Sequence, residues 1–108
     1  MAELKLIKIK DREGLYYEKE YKYGMFNISV DIDIYDANKY MIEAEDEKKN
    51  CTIMMSNYDD HAVMNFPIAY VTLKNADEFL EITKQGIEIL KIINDRREEL
   101  IEKVRVTK

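Results

Sequence analysis

Apolar and polar residues alternate along Met25–Tyr35, and the first two-thirds of the chain repeats this pattern. Successive side chains of a strand point to opposite faces, so the pattern predicts a strand with one buried face. Its buried face would carry Phe26, Ile28, Val30, Ile32 and Ile34. Turn residues separate six further extended segments, predicted at Glu3–Lys10, Leu15–Tyr23, Tyr40–Ala44, Cys51–Ser56, Val63–Phe66 and Ile68–Leu73, with Pro67 dividing the last two.

The first of these segments contains an irregularity. Leu4 and Leu6 point to one face of Glu3–Lys10, whereas Ile7 and Ile9 point to the other. This slip predicts either a β-bulge or a strand that is covered on both faces.

The period changes after Asn75, where apolar residues recur at helical spacing. Asn75 with Glu78 three residues later is typical of a helix start. The predicted helix, Ala76–Val104, would be about 43 Å long, more than the roughly 30 Å of a small domain. It must therefore lie along a sheet diagonal, protrude, kink or meet another chain. One half of its helical wheel holds Phe79, Leu80, Ile82, Gly86, Ile87, Ile89, Leu90, Ile93, Leu100, Ile101 and Val104.

These elements predict an α+β fold, with a five- to six-stranded, mainly antiparallel sheet packed against one long C-terminal helix. The short turns require antiparallel neighbours. Residues 1–108 are expected to form a single domain, strand-rich over 1–73 and helical over 75–104.

The far end of the helix predicts a contact with a partner or ligand. Arg97 lies in the apolar stripe between Ile93 and Leu100, and a buried guanidinium needs an anionic partner. If the helix has instead left the core there, Leu100 and Ile101 are exposed and need a covering surface. Both alternatives favour association, most simply a two-fold homodimer through this helix. We therefore assign Arg97, Ile92, Leu100 and Ile101 to a ligand site or interface.

Negative charge is concentrated in the middle of the chain. The net charge is −5, and residues 31–60 hold nine acids and three bases. Such a field repels phosphate backbones and argues against nucleic-acid binding. The acidic stretch Asp31, Asp33, Tyr35 and Asp36 favours contact with a basic protein surface, although it could equally be a solvated face. Asp31 and Asp33 do not continue as a calcium loop, because Tyr35 occupies the next ligand position.

Other chemical candidates are weaker. Tyr17 and Tyr21 alternate with lysines, a pattern that fits a stacking platform, an interface or plain sheet packing. Cys51 and His61 could form a nucleophilic pair, but Cys51 shares a strand face with apolar residues, as buried inert thiols do. His61 is the one histidine, which excludes a multi-histidine zinc site. No metal site and no cofactor are predicted.

Composition bears on compartment and origin. One cysteine allows no internal disulfide and fits a reducing cytoplasm. No apolar run approaches the roughly 18 residues of a membrane span, and the first residues do not resemble a signal peptide. Lys, Ile, Asn and Tyr total 42 residues, and their AT-rich codons favour a low-GC bacterium or its phage.

Three functional hypotheses remain open. The first is a small non-catalytic interaction protein (an inhibitor, an adaptor or a modulator from a phage or mobile element) that uses its acidic sheet face. The second is an oligomer that binds or sequesters a small anion or nucleotide at a subunit junction lined by Arg97 and tyrosines. The third is a metal-dependent enzyme using Asp31, Asp33, Asp36 and His61.

Overall fold

The computed structural model of the chain describes residues 4–12, 16–66 and 71–105. They form one antiparallel sheet of six strands, which follow each other across the sheet in chain order, and one helix. The elements are β1 Lys5–Arg12, β2 Tyr16–Tyr23, β3 Phe26–Asp33, β4 Tyr40–Asp46, β5 Thr52–Ser56, β6 Val63–Asn65 and α1 Ala76–Arg105. The predicted α+β architecture is thereby confirmed.

One face of the sheet, which we call the inner face, packs against α1. The β3 register places Ile28 opposite Tyr21 of β2 and Ala44 of β4. The alternation that predicted β3 thus holds from Phe26 to Ile32, because register keeps every second side chain on the same face. Ile34, predicted on the same face, lies beyond the end of β3 and is only half-buried. The buried apolar side chains of the sheet are Tyr21, Tyr23, Phe26, Ile28, Val30, Ile32, Ile42, Ala44, Ile53 and Met55.

Of two further strand predictions, one agrees with the structure and one does not. The pairing of β1 with β2 shifts register between Leu6 and Lys8, so the apolar slip there marks a bulge, as one alternative predicted. The strand predicted at Ile68–Leu73 is not found in the described residues. Residues 67–70, including Pro67, lie outside the described residues, and the described part, 71–73, forms no strand.

The helix begins where its sequence indicates. The carbonyl of Asn75 accepts a hydrogen bond from the Phe79 amide at 3.0 Å, and Asp77 and Glu78 lie in the first turn. Acids stabilise this end because they face the positive end of the helix dipole. Gly86 permits close approach to the sheet: a Cβ there would lie 2.8 Å from the Met64 sulfur.

The helix end corrects the sequence-based expectation. The molecule measures 48 × 26 × 25 Å, so a helix of about 45 Å fits along it. The helix kinks at Arg96, where φ is −117° and ψ is 16°. Beyond the kink, Leu100 is 1% exposed and Ile101 0% exposed, both within the chain's own core. The expectation that another chain must cover them is therefore wrong, and self-association through this end stays an untested prediction that has lost its main support.

Within the described ranges, no helix combines the length and the apolar character that crossing a bilayer would require.

Candidate partner-binding face

The side of the sheet that faces away from α1, which we call the outer face, is acidic. Its side chains alternate with the buried ones of β3 and β4, so the pattern that builds the core also builds this face. Six carboxylates lie here on three adjacent strands: Glu18, Glu20, Asp31, Asp33, Glu43 and Glu45. The outer face therefore concentrates negative charge that the sequence spreads over three segments.

A groove lies across the acidic strands. Its volume is about 340 Å³, and it is lined by Ile7, Glu20, Asn27, Ile28, Ser29, Glu43 and Glu45. The register explains this grouping, because Ser29 of β3 lies between Glu20 of β2 and Glu43 of β4. Adjacent strands are only about 4.8 Å apart, so the carboxylates surround a small volume. The groove presents negative charge together with one hydroxyl and one amide.

The outer-face acids differ in burial and in their ion pairs. Glu18 is 1% exposed, directly opposite Asp31. Among the described residues, Glu43 and Glu45 form no ion pair. The β4 carboxylates are therefore not compensated by an ion pair with a described residue.

The turn between β3 and β4 uses two of the predicted acids structurally. The Asp33 Oδ1 accepts hydrogen bonds from the amides of Tyr35 at 2.8 Å and Asp36 at 3.0 Å. The Asp36 Oδ1 accepts one from the amide of Asn38 at 3.0 Å. Such local bonds are the reason that aspartate favours turns. Tyr35 projects beside these two carboxylates, 82% exposed.

The predicted tyrosines face the helix rather than a ligand. Tyr21 lies opposite Ile28 on the inner face and is buried, and Tyr17 is partly buried against the same core. Burial raises the pKa of Tyr21, the nearby Arg96 charge opposes this rise, and the Glu99 carboxylate adds to it. A base could stack on Tyr21 only if the helix moved away.

Arg97 does not lie where the ligand hypothesis requires it. Its Nη1 donates to the carbonyl of Asp59 at 3.4 Å, and its Nε lies 3.7 Å from a carboxylate oxygen of Glu98. Arg96, and not Arg97, is the arginine whose charge acts on Tyr21. Ile92 packs partly buried against the core. The structure therefore does not gather Arg97 and the tyrosines around one site.

The candidates for catalysis are not assembled either. Cys51 is buried, and burial together with the Asp46 charge raises the pKa of its thiol to about 11, so the nucleophilic thiolate is disfavoured. His61 is exposed. In the part of the chain that the structure describes, no three His, Cys, Asp or Glu side chains converge as a metal site would require.

Sequence reasoning missed Glu20, Glu43 and Glu45, which line the groove. A signal was present, because Glu18-x-Glu20 and Glu43-x-Glu45 repeat the spacing of Asp31-x-Asp33. The strand order, which brings the three pairs together, was needed to interpret it.

Comparisons of the chain with protein-family models, with curated proteins and with solved structures found no match. The function is therefore inferred from the chemistry of the outer face alone.

Proposed function

We propose that the protein is a small non-catalytic interaction protein, an inhibitor, adaptor or modulator, that binds a basic protein surface through its outer face. The observation that carries this proposal is the groove over β2, β3 and β4. Three of its lining side chains are glutamates, and two of those, Glu43 and Glu45, form no ion pair among the described residues. The helix packs on the opposite face and leaves the groove open.

The groove suits a lysine or arginine side chain of the partner. An ammonium or guanidinium group entering it would meet Glu20, Glu43 and Glu45, with Ser29 and Asn27 as further hydrogen-bond acceptors. A carboxylate binds a guanidinium through two parallel hydrogen bonds, which adds direction to the attraction. The several carboxylates around the groove would attract a surface with several basic residues more strongly than a single cation.

Tyr35 extends this surface at one end of the sheet. It is almost fully exposed and lies between Asp33 and Asp36. Exposed tyrosines are common binding residues at protein interfaces, because they bury a large apolar area and retain a polar tip. We assign it the apolar part of the contact.

Titration with a labelled oligo-arginine peptide tests the proposal, with fluorescence anisotropy as the readout. We expect Glu43→Gln with Glu45→Gln to weaken binding by about tenfold at low ionic strength, equivalent to about 1.4 kcal/mol. The difference should shrink as salt is added, because the contact is solvent-accessible.

The matched control is Asp95→Asn with Glu98→Gln, which removes the same charge from exposed positions on the helix. If this control weakens binding as much as the groove variant, the peptide responds to net charge alone and the assignment of the outer face is wrong.

A further inference from the structure

An apolar strip lies on the first half of α1, on the side turned away from the sheet. Leu80 is 70% exposed and Ile87, two helical turns later, is 44% exposed. The sequence pattern grouped both with the sheet-facing residues, but the structure leaves them outside the core. Beside Leu80 lies an apolar groove of about 490 Å³ lined by Phe66, Val71, Ala76, Phe79, Leu80 and Thr83.

We propose that a second copy of this chain covers this strip, with the two helices antiparallel about a two-fold axis. Contiguous apolar surface on a soluble protein commonly marks an interaction site. A second copy is the occupant that the charges beside the strip fit. The exposed acids Asp77 and Glu81 precede the strip's centre, and the exposed lysines Lys84 and Lys91 follow it.

Only an antiparallel arrangement brings these opposite charges together. An axis that crosses the helix between Thr83 and Lys84 places Leu80 of each copy against Ile87 of the other. Measured along the helix, Asp77 then lies about 1.5 Å from Lys91 of the other copy, at about 1.5 Å rise per residue. Lys84 lies about 1.5 Å from Lys84 of the other copy, and Glu81 of that copy, about 3 Å away, offsets this like charge. A parallel pairing in register would instead place each of these residues level with its own copy, so no opposite charges would meet.

The contact also brings the two apolar grooves close to the axis. Phe66 and Val71 are both exposed, and Leu80 belongs to the strip and to the groove wall. The dimer contact therefore combines an apolar centre with a charged rim, the arrangement found in stable interfaces. It leaves the outer face of the sheet available, so it is independent of the proposed function.

Sedimentation velocity of the full chain over a concentration series tests the proposal. We expect twice the monomer mass for the unmodified chain at concentrations up to about 1 mM, a range that detects even millimolar dissociation constants. Leu80→Ser with Ile87→Ser should give the monomer mass. Leu6→Ser is the matched control, because Leu6 is exposed on β1, at the opposite edge of the sheet from β6, and should leave the dimer intact.

A charge exchange identifies the partner as a second copy in this orientation. Asp77→Lys alone and Lys91→Asp alone should each raise the dissociation constant about tenfold, whereas the double variant should recover most of this loss. Circular dichroism confirms that each variant is folded. A monomer at every concentration, a dimer that survives Leu80→Ser with Ile87→Ser, or a double variant that is no better than the single ones would each overturn the proposal.

Discussion

The two faces of the sheet come from the same strands but have opposite effects on the stability of the fold. On β3 and β4 the inner face carries buried apolar side chains, apart from the half-buried Tyr40 and the buried Asp46, whereas the outer face of these strands carries four of the six outer-face carboxylates. Burying apolar area stabilises the fold, whereas like charges on neighbouring strands destabilise it. The comparison indicates that the inner face explains why the chain folds. The outer face needs another explanation, which we take to be binding.

The largest expected effect separates buried from exposed positions on the helix. Ile89 packs against the inner face with no exposure, and Ile87, two residues earlier, points away from the sheet. We expect Ile89→Ala to lower the free energy of unfolding by about 2–5 kcal/mol, since it removes buried methyl groups and leaves a cavity. Ile87→Ala should cost less than about 1 kcal/mol. Urea denaturation of both variants at low protein concentration measures the difference.

Similar costs at the two positions would show that Ile87 is covered within the monomer. The strip proposed for dimerisation would then be wrong as well.

A second, slightly smaller effect concerns the helix end beyond the kink. We expect Ile101→Ala to lower the free energy of unfolding by about 2–4 kcal/mol, because Ile101 is fully buried in its own chain. Ile92→Ala, at a partly buried position, should cost less. Neither variant should change the mass found by sedimentation. A variant at Ile101 that lost self-association but kept its stability would restore the helix end as an interface.

The sequence was sufficient to predict six strands and the helix, but not how these elements pack together. The alternation in β3, the bulge in β1 and the helix start at Asn75 are local features, and local chemistry decides them. The burial of Leu100 and the exposure of Leu80 depend on where the helix meets a twisted sheet, which no local pattern encodes. The groove likewise needs the register that sets Ser29 between Glu20 and Glu43.

A third effect tests how the helix is tied to the inner face. The Tyr23 hydroxyl donates a 2.5 Å hydrogen bond to Glu88, and burial, followed by this bond and the Glu88 charge, raises the pKa of Tyr23 to about 12. Tyr23→Phe should lower the free energy of unfolding at neutral pH by about 1 kcal/mol.

The raised pKa adds a pH signature to the same variant. The folded state holds the Tyr23 proton more tightly than the unfolded state, whose tyrosine pKa is about 10. The resulting stabilisation is complete below pH 10 and is lost as the pH rises towards 12. Urea midpoints over this range should fall less steeply for Tyr23→Phe than for the unmodified chain, and parallel curves would contradict the assignment.

The smallest expected effect on stability is also the one that tests the comparison most directly. Glu43→Gln with Glu45→Gln keeps the size of both side chains and removes two charges from the acidic groove. We expect the free energy of unfolding to rise by a few tenths of a kcal/mol, about the size of a repulsive cross-strand pair, while binding of the arginine peptide weakens. The gain should be largest at low salt, where the repulsion is least screened. A loss of stability would instead mean that these carboxylates support the fold, and the outer face would then need no binding function to explain it.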